Sequence, residues 1–250
     1  MIDFHTHILP AMDDGAKNQD EAVKLLSLEK EEGVDTVLLT PHYYAKKRSV
    51  EQFLEYRSAA FEKIKNEIPA GIDVRLGAEV HMTGINDLSD EELIPLAIEG
   101  TKCVLMEFPF LVKWSENLFD RVRTFAEETG YTPVIAHVER YNQVLDNPAI
   151  LYPLLDAGCL LQVNTRAFIR KSTRRFAFAM LKKNMLHCIG SDAHNIQKRV
   201  PDIQLSKEAV VKAGYEVEWQ VLQDYMRSLL QGKTLRSEMK RIRRVLHWYW

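Results

Sequence analysis

The sequence predicts an α/β fold built on seven parallel strands, and three observations carry the prediction. A unit of amphipathic helix, glycine and short apolar run recurs, as in "LLSLEKEEGVDTVLLT", "FAEETGYTPVIAH" and "LYPLLDAGCLLQVN". The apolar runs are near-continuous and rich in β-branched residues, as strands covered on both faces should be. Strands and helices alternate along the chain, which leaves a closed TIM-like barrel or an open doubly wound sheet as the candidate architectures. No Gly-rich phosphate loop follows the first strand, which counts against a dinucleotide-binding sheet.

The strands fall at about 2–6, 35–40, 72–79, 103–108, 133–137, 159–164 and 186–191. Between them, Val50, Phe53, Leu54, Phe61, Ile64 and Ile68 form one helical stripe, and Leu118, Val122 and Phe125 form another. Gly33, Gly130 and Gly158 stand just past helix ends, where glycine takes the left-handed conformation without a Cβ penalty. The connection "SDEELIPLAIEGT" reads as only partly helical. No linker, repeat or low-complexity segment breaks the 250 residues, so one domain over 1–250 is expected, with a basic and aromatic tail from about 233 to 250.

Composition excludes several classes. Lys and Arg number 33 against 35 Asp and Glu, a formal net charge of −2, which gives no reason to expect a nucleic-acid partner. Cys103, Cys159 and Cys188 stand singly in apolar runs, which argues against a disulfide framework and for buried, reduced thiols in a cytoplasmic protein. The N-terminus lacks a basic then apolar signal pattern, and no run reaches the ~18 apolar residues of a membrane span.

The functional signal lies at the strand ends. Strand one ends in His5 and His7, strand two in His42; strand three carries Glu79 and strand four Glu107; strand five ends in His137, and strand seven in Asp192 and His194. Six of the seven strands therefore bring imidazole or carboxylate to one end of the sheet, the catalytic face if the sheet closes. Residues i and i+2 of a strand share a face, so His5 and His7 can reach one ion. Carboxylates ending apolar strands would each cost several kcal/mol if desolvated and unpaired, and a cation is their natural partner. Asp14, in "AMDDGA", is placed over the same mouth as a further ligand, although Asp-Gly is also ordinary turn chemistry. Nine candidates exceed the needs of one ion, so two or three divalent ions are expected, and a thiolate-free set suits Mn, Zn or Fe without choosing among them. Arg140 and Arg199, just beyond ligands, have the planar fork that binds phosphate oxygens. His81 is read as a supporting or surface residue, His187 as structural and His247 as an exposed tail residue.

With these residues in view, "FHTH", "TPH", "GAE", "EFPF", "AHVERY" and "SDAHN" resemble, in this order, the PHP (polymerase and histidinol phosphatase) superfamily. "MIDFHTHILPAMDDGA" and "PVIAHVERY" are most similar to bacterial manganese-dependent tyrosine-protein phosphatases of capsule and exopolysaccharide synthesis. The resemblance covers about residues 1–230 and implies a distorted (β/α)7 barrel with a three-metal site at the C-terminal strand ends. It implies one ion on His5, His7, Glu79 and Asp192, with Glu79 bridging to a second on Glu107 and His137. Asp14, His42 and His194 would hold the third, and the phosphate-binding arginines would be Arg140 and Arg199. Amidohydrolases also begin with an HxH strand, but their later lysine and histidine are here Glu107 and Asn164.

The expected reaction is hydrolysis of a phosphate monoester by attack of a metal-bridged hydroxide. The substrate would be phosphotyrosine on a protein, with a membrane-associated bacterial tyrosine kinase as partner. A phosphatase of a small metabolite such as histidinol phosphate, and a metal-stabilised regulatory protein without catalysis, are the rival readings. In the tail, Lys240, Arg241, Arg243, Arg244, Trp248, Tyr249 and Trp250 fit either contact with an anionic membrane surface or a helix packed on the barrel, and the packed helix is the expectation.

Overall fold

The run IDFHT forms the first strand, β1 (Ile2–Thr6), and all of its residues are buried. The computed structural model describes residues 1–82, 89–233, 240–242, 244–245 and 248–249. Helix α1 (Gln19–Glu31) starts at Asn18, whose side chain accepts from the Glu21 amide, and the chain turns out of it at Gly33, φ 77°. Strand β2 (Thr36–Leu39) is followed at once by β3 (His42–Tyr43), the break falling at Thr40 and Pro41. Helix α2 (Val50–Ile64) opens on a reciprocal capping box between Ser49 and Gln52. Strands β4 (Asp73–Leu76) and β5 (Glu79–His81) are likewise one run broken at Gly77 and Ala78.

Helix α3 (Asp90–Leu93) has a single turn before a tighter one at Ile94–Leu96, so this connection is as short of helix as its sequence implied. Then come β6 (Cys103–Glu107), α4 (Glu116–Thr129) closed by Gly130, and β7 (Thr132–Ile135). Two short helices, α5 (Asn142–Asp146) and α6 (Tyr152–Asp156), lead to β8 (Leu160–Asn164). Helix α7 (Arg174–Lys182), β9 (Cys188–Gly190), α8 (Ile203–Lys212) and α9 (Glu216–Leu230) follow.

The pairings describe one curled, parallel sheet. β1 pairs with β2 and β2 with β4; β3 pairs with β5, and β5 through β9 then pair in chain order. Across the two interruptions the ladder is carried by Gly77 N to Leu39 O (2.9 Å) and Glu79 N to Pro41 O (3.0 Å). A parallel bridge between Thr6 and Ala193 brings the segment after β9 back to β1. Asp3 reinforces the return, its buried carboxylate accepting from the amides of His5 (3.1 Å) and Ser191 (2.9 Å). Phe4, Leu38, Val104, Val134, Leu161 and Ile189 fill the core, and α9 closes it by turning Trp219 and Met226 inward. Gln223 of α9 accepts from the amide of Ile2 (2.9 Å), tying a late helix to the first strand.

The three cysteines are free and buried, and burial pushes Cys103 up to about 11 and Cys159 to about 12. Among the described residues no helix is long and apolar enough to cross a membrane. The tail departs from the expected helix. Its described part forms an antiparallel pair, β10 (Arg244–Val245) and β11 (Trp248–Tyr249). The ring of Tyr249 meets Phe176 edge-on at 5.4 Å, and its hydroxyl donates to the Leu145 carbonyl (2.9 Å). Arg241 and Arg244 are held by Asp156 and Asp146, so two cations of the expected basic face are already paired. A helix would have put Arg244 and Tyr249 on unrelated faces; the paired strands aim both at the α5 region.

Candidate metal centre

The parallel register decides which side chains meet. On β1, His5 and His7 lie two apart and share a face, with their Nε2 atoms 3.0 Å apart in the buried interior. His42 and Glu79 are direct partners in the β3–β5 register, and His42 Nδ1 stands 2.9 Å from Glu79 Oε2. The same oxygen is 3.3 Å from Nε2 of both His5 and His7, while Glu79 Oε1 is 2.8 Å from His137 Nε2. Glu107, at the end of β6, reaches His137 Nε2 at 3.4 Å and His42 Nδ1 at 3.8 Å. Asp192 Oδ1 lies 3.4 Å from His7 Nε2. Asp14, with a side chain 67% exposed, covers the outer side at 3.6 Å from His42 and 3.5 Å from His194.

All nine expected ligands are thus drawn into overlapping groups of a size that holds an ion: His7, Asp14, His42 and His194; His5, His7 and Asp192; His5, Glu79 and His137; and His42, Glu79 and Glu107. His42 lies with Glu79 and Glu107 as well as with His194, so it joins two groups where the resemblance placed it in one.

The chemistry of the donor set fits divalent ions. His194 Nδ1 faces the Asp192 carbonyl (2.9 Å), which only accepts, so that nitrogen carries a proton and Nε2 is the atom turned to the mouth. His7 Nδ1 donates to Asp13 Oδ2 (2.7 Å), and His5 Nδ1 faces Gln162 Oε1 at 3.4 Å. Three imidazoles are therefore oriented from behind and present Nε2 to a common space, the arrangement that holds metal-ligating histidines. His42 Nδ1, Glu79 Oε2, His137 Nδ1 and His194 Nε2 are buried without a hydrogen-bond partner, a costly state for a cluster meant to stand alone.

Electrostatics say the same. Burial opposes charge on His7, His42 and His137, yet neighbouring carboxylates outweigh it and raise all three, Glu107 and Glu79 holding His137 up at about 9. Burial likewise opposes ionised Glu79 and Asp192, and the surrounding imidazoles pull both below the carboxylate range. The His194 imidazole holds Asp14 down at about 2. Protons shared among these groups do what cations would do more completely.

Two site residues take a left-handed backbone that side chains seldom adopt, His137 at φ 33° and Asp192 at φ 56°. Two glycines permit the close approach of their neighbours. A Cβ on Gly190 would sit 2.5 Å from His5 Cβ, and one on Gly15 would sit 2.0 Å from the His7 carbonyl oxygen.

Arg140 Nη1 and Arg199 Nη2 both reach Asp192 Oδ2, at 3.1 and 2.5 Å. Asn164 donates to the same oxygen (2.9 Å) and accepts from Gln162. A cavity of about 500 Å³ opens here, lined by Arg140, Asp192 and Arg199 and extending past Asn164 to Arg166 and Arg170. On the other side of Arg140 its guanidinium lies 4.8 Å from the Phe110 ring, which stacks near His137 at 5.5 Å and is 39% exposed. Next to it Leu111 is 99% exposed.

Sequence reasoning gave Asp13, beside Asp14 in "AMDDGA", no role of its own. It accepts from Gly15 N (2.9 Å), and it also holds His7 and accepts from the His42 amide (2.8 Å). Gln162 was given no role, and Asn164 was noted only as standing where amidohydrolases carry a histidine. Their signal was available as polar residues two apart in a buried strand, sharing the face that His5 and His7 occupy on β1. His81 stands beside the cluster, 3.9 Å from Glu107 and 5.1 Å from the Tyr44 ring. His187 lies at the entry to β9, accepts from Leu161 N (3.1 Å), and is pushed by burial down to about 4. His247 lies outside the described residues.

The chain has relatives among known proteins. The family described as capsular polysaccharide synthesis, CpsB/CapC, matches residues 1–231. Tyrosine-protein phosphatase YwqE of Bacillus subtilis (strain 168) is 32% identical over 213 residues, 80% of this chain and 79% of its own. Tyrosine-protein phosphatase CpsB of Streptococcus pneumoniae is 28% identical over 235 residues, 85% of this chain and 90% of its own. A solved structure from work on YwqE and CpsB, described as metal-dependent tyrosine phosphatases, superposes with a TM-score of 0.82 at 28% identity, covering 98% of this chain and 100% of that one. A β-aspartyl dipeptidase from Fervidobacterium islandicum shares the fold at a TM-score of 0.58 and 15% identity, covering 96% of this chain and 75% of that one.

Proposed function

The chain belongs to the CpsB/CapC family of capsular polysaccharide synthesis, and from that premise we propose that it is a metal-dependent phosphatase acting on phosphotyrosine in a protein. The observation that carries the reading is the meeting of nine metal-ligand candidates with two arginines on one carboxylate, Asp192. The finer architecture goes with it: counting β2 with β3 and β4 with β5, the curled sheet has the seven strands of a distorted (β/α)7 barrel.

In this reading the nine candidates would hold two or three divalent ions, Mn by preference. The groups that would hold them are His5, His7 and Asp192; His5, Glu79 and His137; His42, Glu79 and Glu107; and, on the outer side, His7, Asp14, His42 and His194. Bound divalent ions supply Lewis acidity and lower the pKa of water to give a nucleophile at neutral pH. The protein does the rest. Arg140 and Arg199 bind phosphoryl oxygens with guanidinium forks and stabilise the charge that spreads over them. Asp192 keeps both forks at the mouth before substrate arrives. The half-exposed ring of Phe110 stands against Arg140 and offers an apolar wall to an aromatic leaving group. A phenolate, with a parent pKa near ~10, leaves more readily than an alkoxide and asks less of a general acid. The substrate protein in this reading is a tyrosine kinase of capsule or exopolysaccharide synthesis.

The test is turnover of a phosphotyrosine peptide and of p-nitrophenyl phosphate, with histidinol phosphate for comparison. Chelation by EDTA should abolish turnover and Mn should restore it, with the aryl substrates preferred. Full activity after chelation, or a preference for histidinol phosphate, would overturn the reading.

A further inference from the structure

Between Asp156 and Asp192 the chain has no acidic residue and seven Lys and Arg, although the whole chain has a formal net charge of −2. This stretch supplies β8, the turn after it and α7, and it forms the far wall of the cavity that opens beside Asp192. Four arginines line that cavity: Arg140, Arg166, Arg170 and Arg199. Three are engaged. Arg140 and Arg199 hold Asp192, and Arg166 holds the buried carboxylate of Asp202 (2.6 Å) while donating to the Lys198 carbonyl (2.8 Å). Arg170 has no acidic partner among the described residues. Its backbone is fixed, its amide donating to Arg166 O (3.0 Å) and its carbonyl accepting from Thr173 N (3.2 Å) and Arg174 N (2.9 Å).

We propose that this recess is a second binding site for the substrate, in which Arg170 pairs with an acidic side chain flanking the phosphotyrosine. The inference rests on the phosphatase reading for the first site. Its physical basis is independent: a concave wall with one uncommitted guanidinium takes an anionic side chain, and a carboxylate satisfies the fork bidentately. Ser172 and Thr173 also line the recess, with Asn142 across from them, so polar groups accompany the charge. A recess of about 500 Å³ suits a side chain better than a flat headgroup surface does. Lys171 lies next to Arg170, is exposed, and strengthens the positive field at the rim.

The experiment uses the full chain loaded with Mn and two phosphotyrosine peptides that differ only in having Glu or Gln at the flanking positions. p-Nitrophenyl phosphate, which has no flanks, is the control. The wild type should show a KM about fivefold lower for the Glu peptide, the size of one partly desolvated ion pair. Arg170→Gln should erase that preference and leave p-nitrophenyl phosphate unchanged, whereas Arg170→Lys should keep part of it. Raising the salt should shrink the preference in the wild type and in Arg170→Lys, and should change nothing in Arg170→Gln.

Equal KM values for both peptides with the wild type would overturn the proposal, as would an equal loss on both with Arg170→Gln. If p-nitrophenyl phosphate is not hydrolysed at all, the phosphatase reading fails by itself. Fluorescence anisotropy of the two peptides on wild type and Arg170→Gln then decides the recess separately: Arg170-dependent preference for the Glu peptide upholds it, and its absence overturns it. Loss of binding to phosphatidylserine vesicles in Arg170→Gln, with no peptide preference in either protein, would assign the charge to a membrane and overturn the proposal.

Discussion

Asp13 Oδ2 lies 2.7 Å from Nδ1 of His7, and it is this contact that turns Nε2 of His7 toward the other ligands. The carboxylate is ionised, since the charge and hydrogen bond of His7 hold it below the usual range in spite of burial. A residue to which the sequence gave no role is therefore the orienting partner of a metal-ligand candidate.

Asp13→Asn keeps the shape and removes the charge. Without it the Nδ1 proton of His7 loses its anionic acceptor and the ring loses its fixed tautomer. Mn affinity, measured by calorimetry on the metal-depleted protein, should fall about 10- to 100-fold, as when such partners are lost elsewhere. Unchanged affinity would leave Asp13 with a turn role alone.

Gly190 faces His5 so closely that an added Cβ would also lie 2.7 Å from the His5 backbone nitrogen. Backbone cannot yield as a flexible side chain can, so β9 must withdraw from β1. Gly190→Ala should cost about 1–3 kcal/mol in chemical denaturation and lower metal occupancy as well. A variant of wild-type stability with full occupancy would contradict the packing described.

Phe110 is exposed enough to be truncated without opening the core. Phe110→Ala should raise KM for p-nitrophenyl phosphate and phosphotyrosine about fivefold, the value of one aromatic contact. Glycerol phosphate, with no ring to place, should be unaffected. Parallel losses on both substrate classes would mean that Phe110 only supports Arg140.

His187 gives a pH dependence that is remote from the centre. Burial lowers it from 6.5 to about 4, so the folded protein binds this proton less readily than the unfolded chain. The sign follows: its contribution to stability is complete above about pH 6.5 and is lost as the pH falls toward 4, by about 3 kcal/mol at most. His187→Gln retains an acceptor for the Leu161 amide and does not titrate. The stability difference between wild type and variant should shift against the wild type between pH 6.5 and 4, and a flat difference would refute the assignment.

The strands and ligands were legible because both obey short-range rules. Continuous apolar runs mark strands covered on two faces, and a charged or imidazole residue at the end of such a run has few structural reasons to be there. Glu79 and Glu107 stood out for that reason. The breaks at Pro41 and Gly77–Ala78 were less visible, since a ladder interrupted for two residues still reads as one apolar run. The tail was misread because basic and aromatic residues mixed at short spacing fit a helix and a strand pair equally, and contacts with Phe176 and Asp156 decide between them. Gln162 and Arg170 were hidden because one acts through His5, distant in sequence, and the other through an open recess, whereas Asp13 meets His7 only six residues away but across a turn that accounts for an aspartate by itself.

Asp3 and Ser191, joined through the Ser191 amide, are separated by 188 residues, and His5 meets Asp192 across the same seam. A ribosome must therefore release nearly 200 residues before the first strand finds its last neighbour. Until then His5 and His7 lack two of their seven companion candidates, Asp192 and His194. Long-range closure of this kind slows folding, and it also sets an order of events: a nascent chain stalled before β9 has neither Asp192 nor His194, and the nine ligand candidates are complete only once the chain has passed His194.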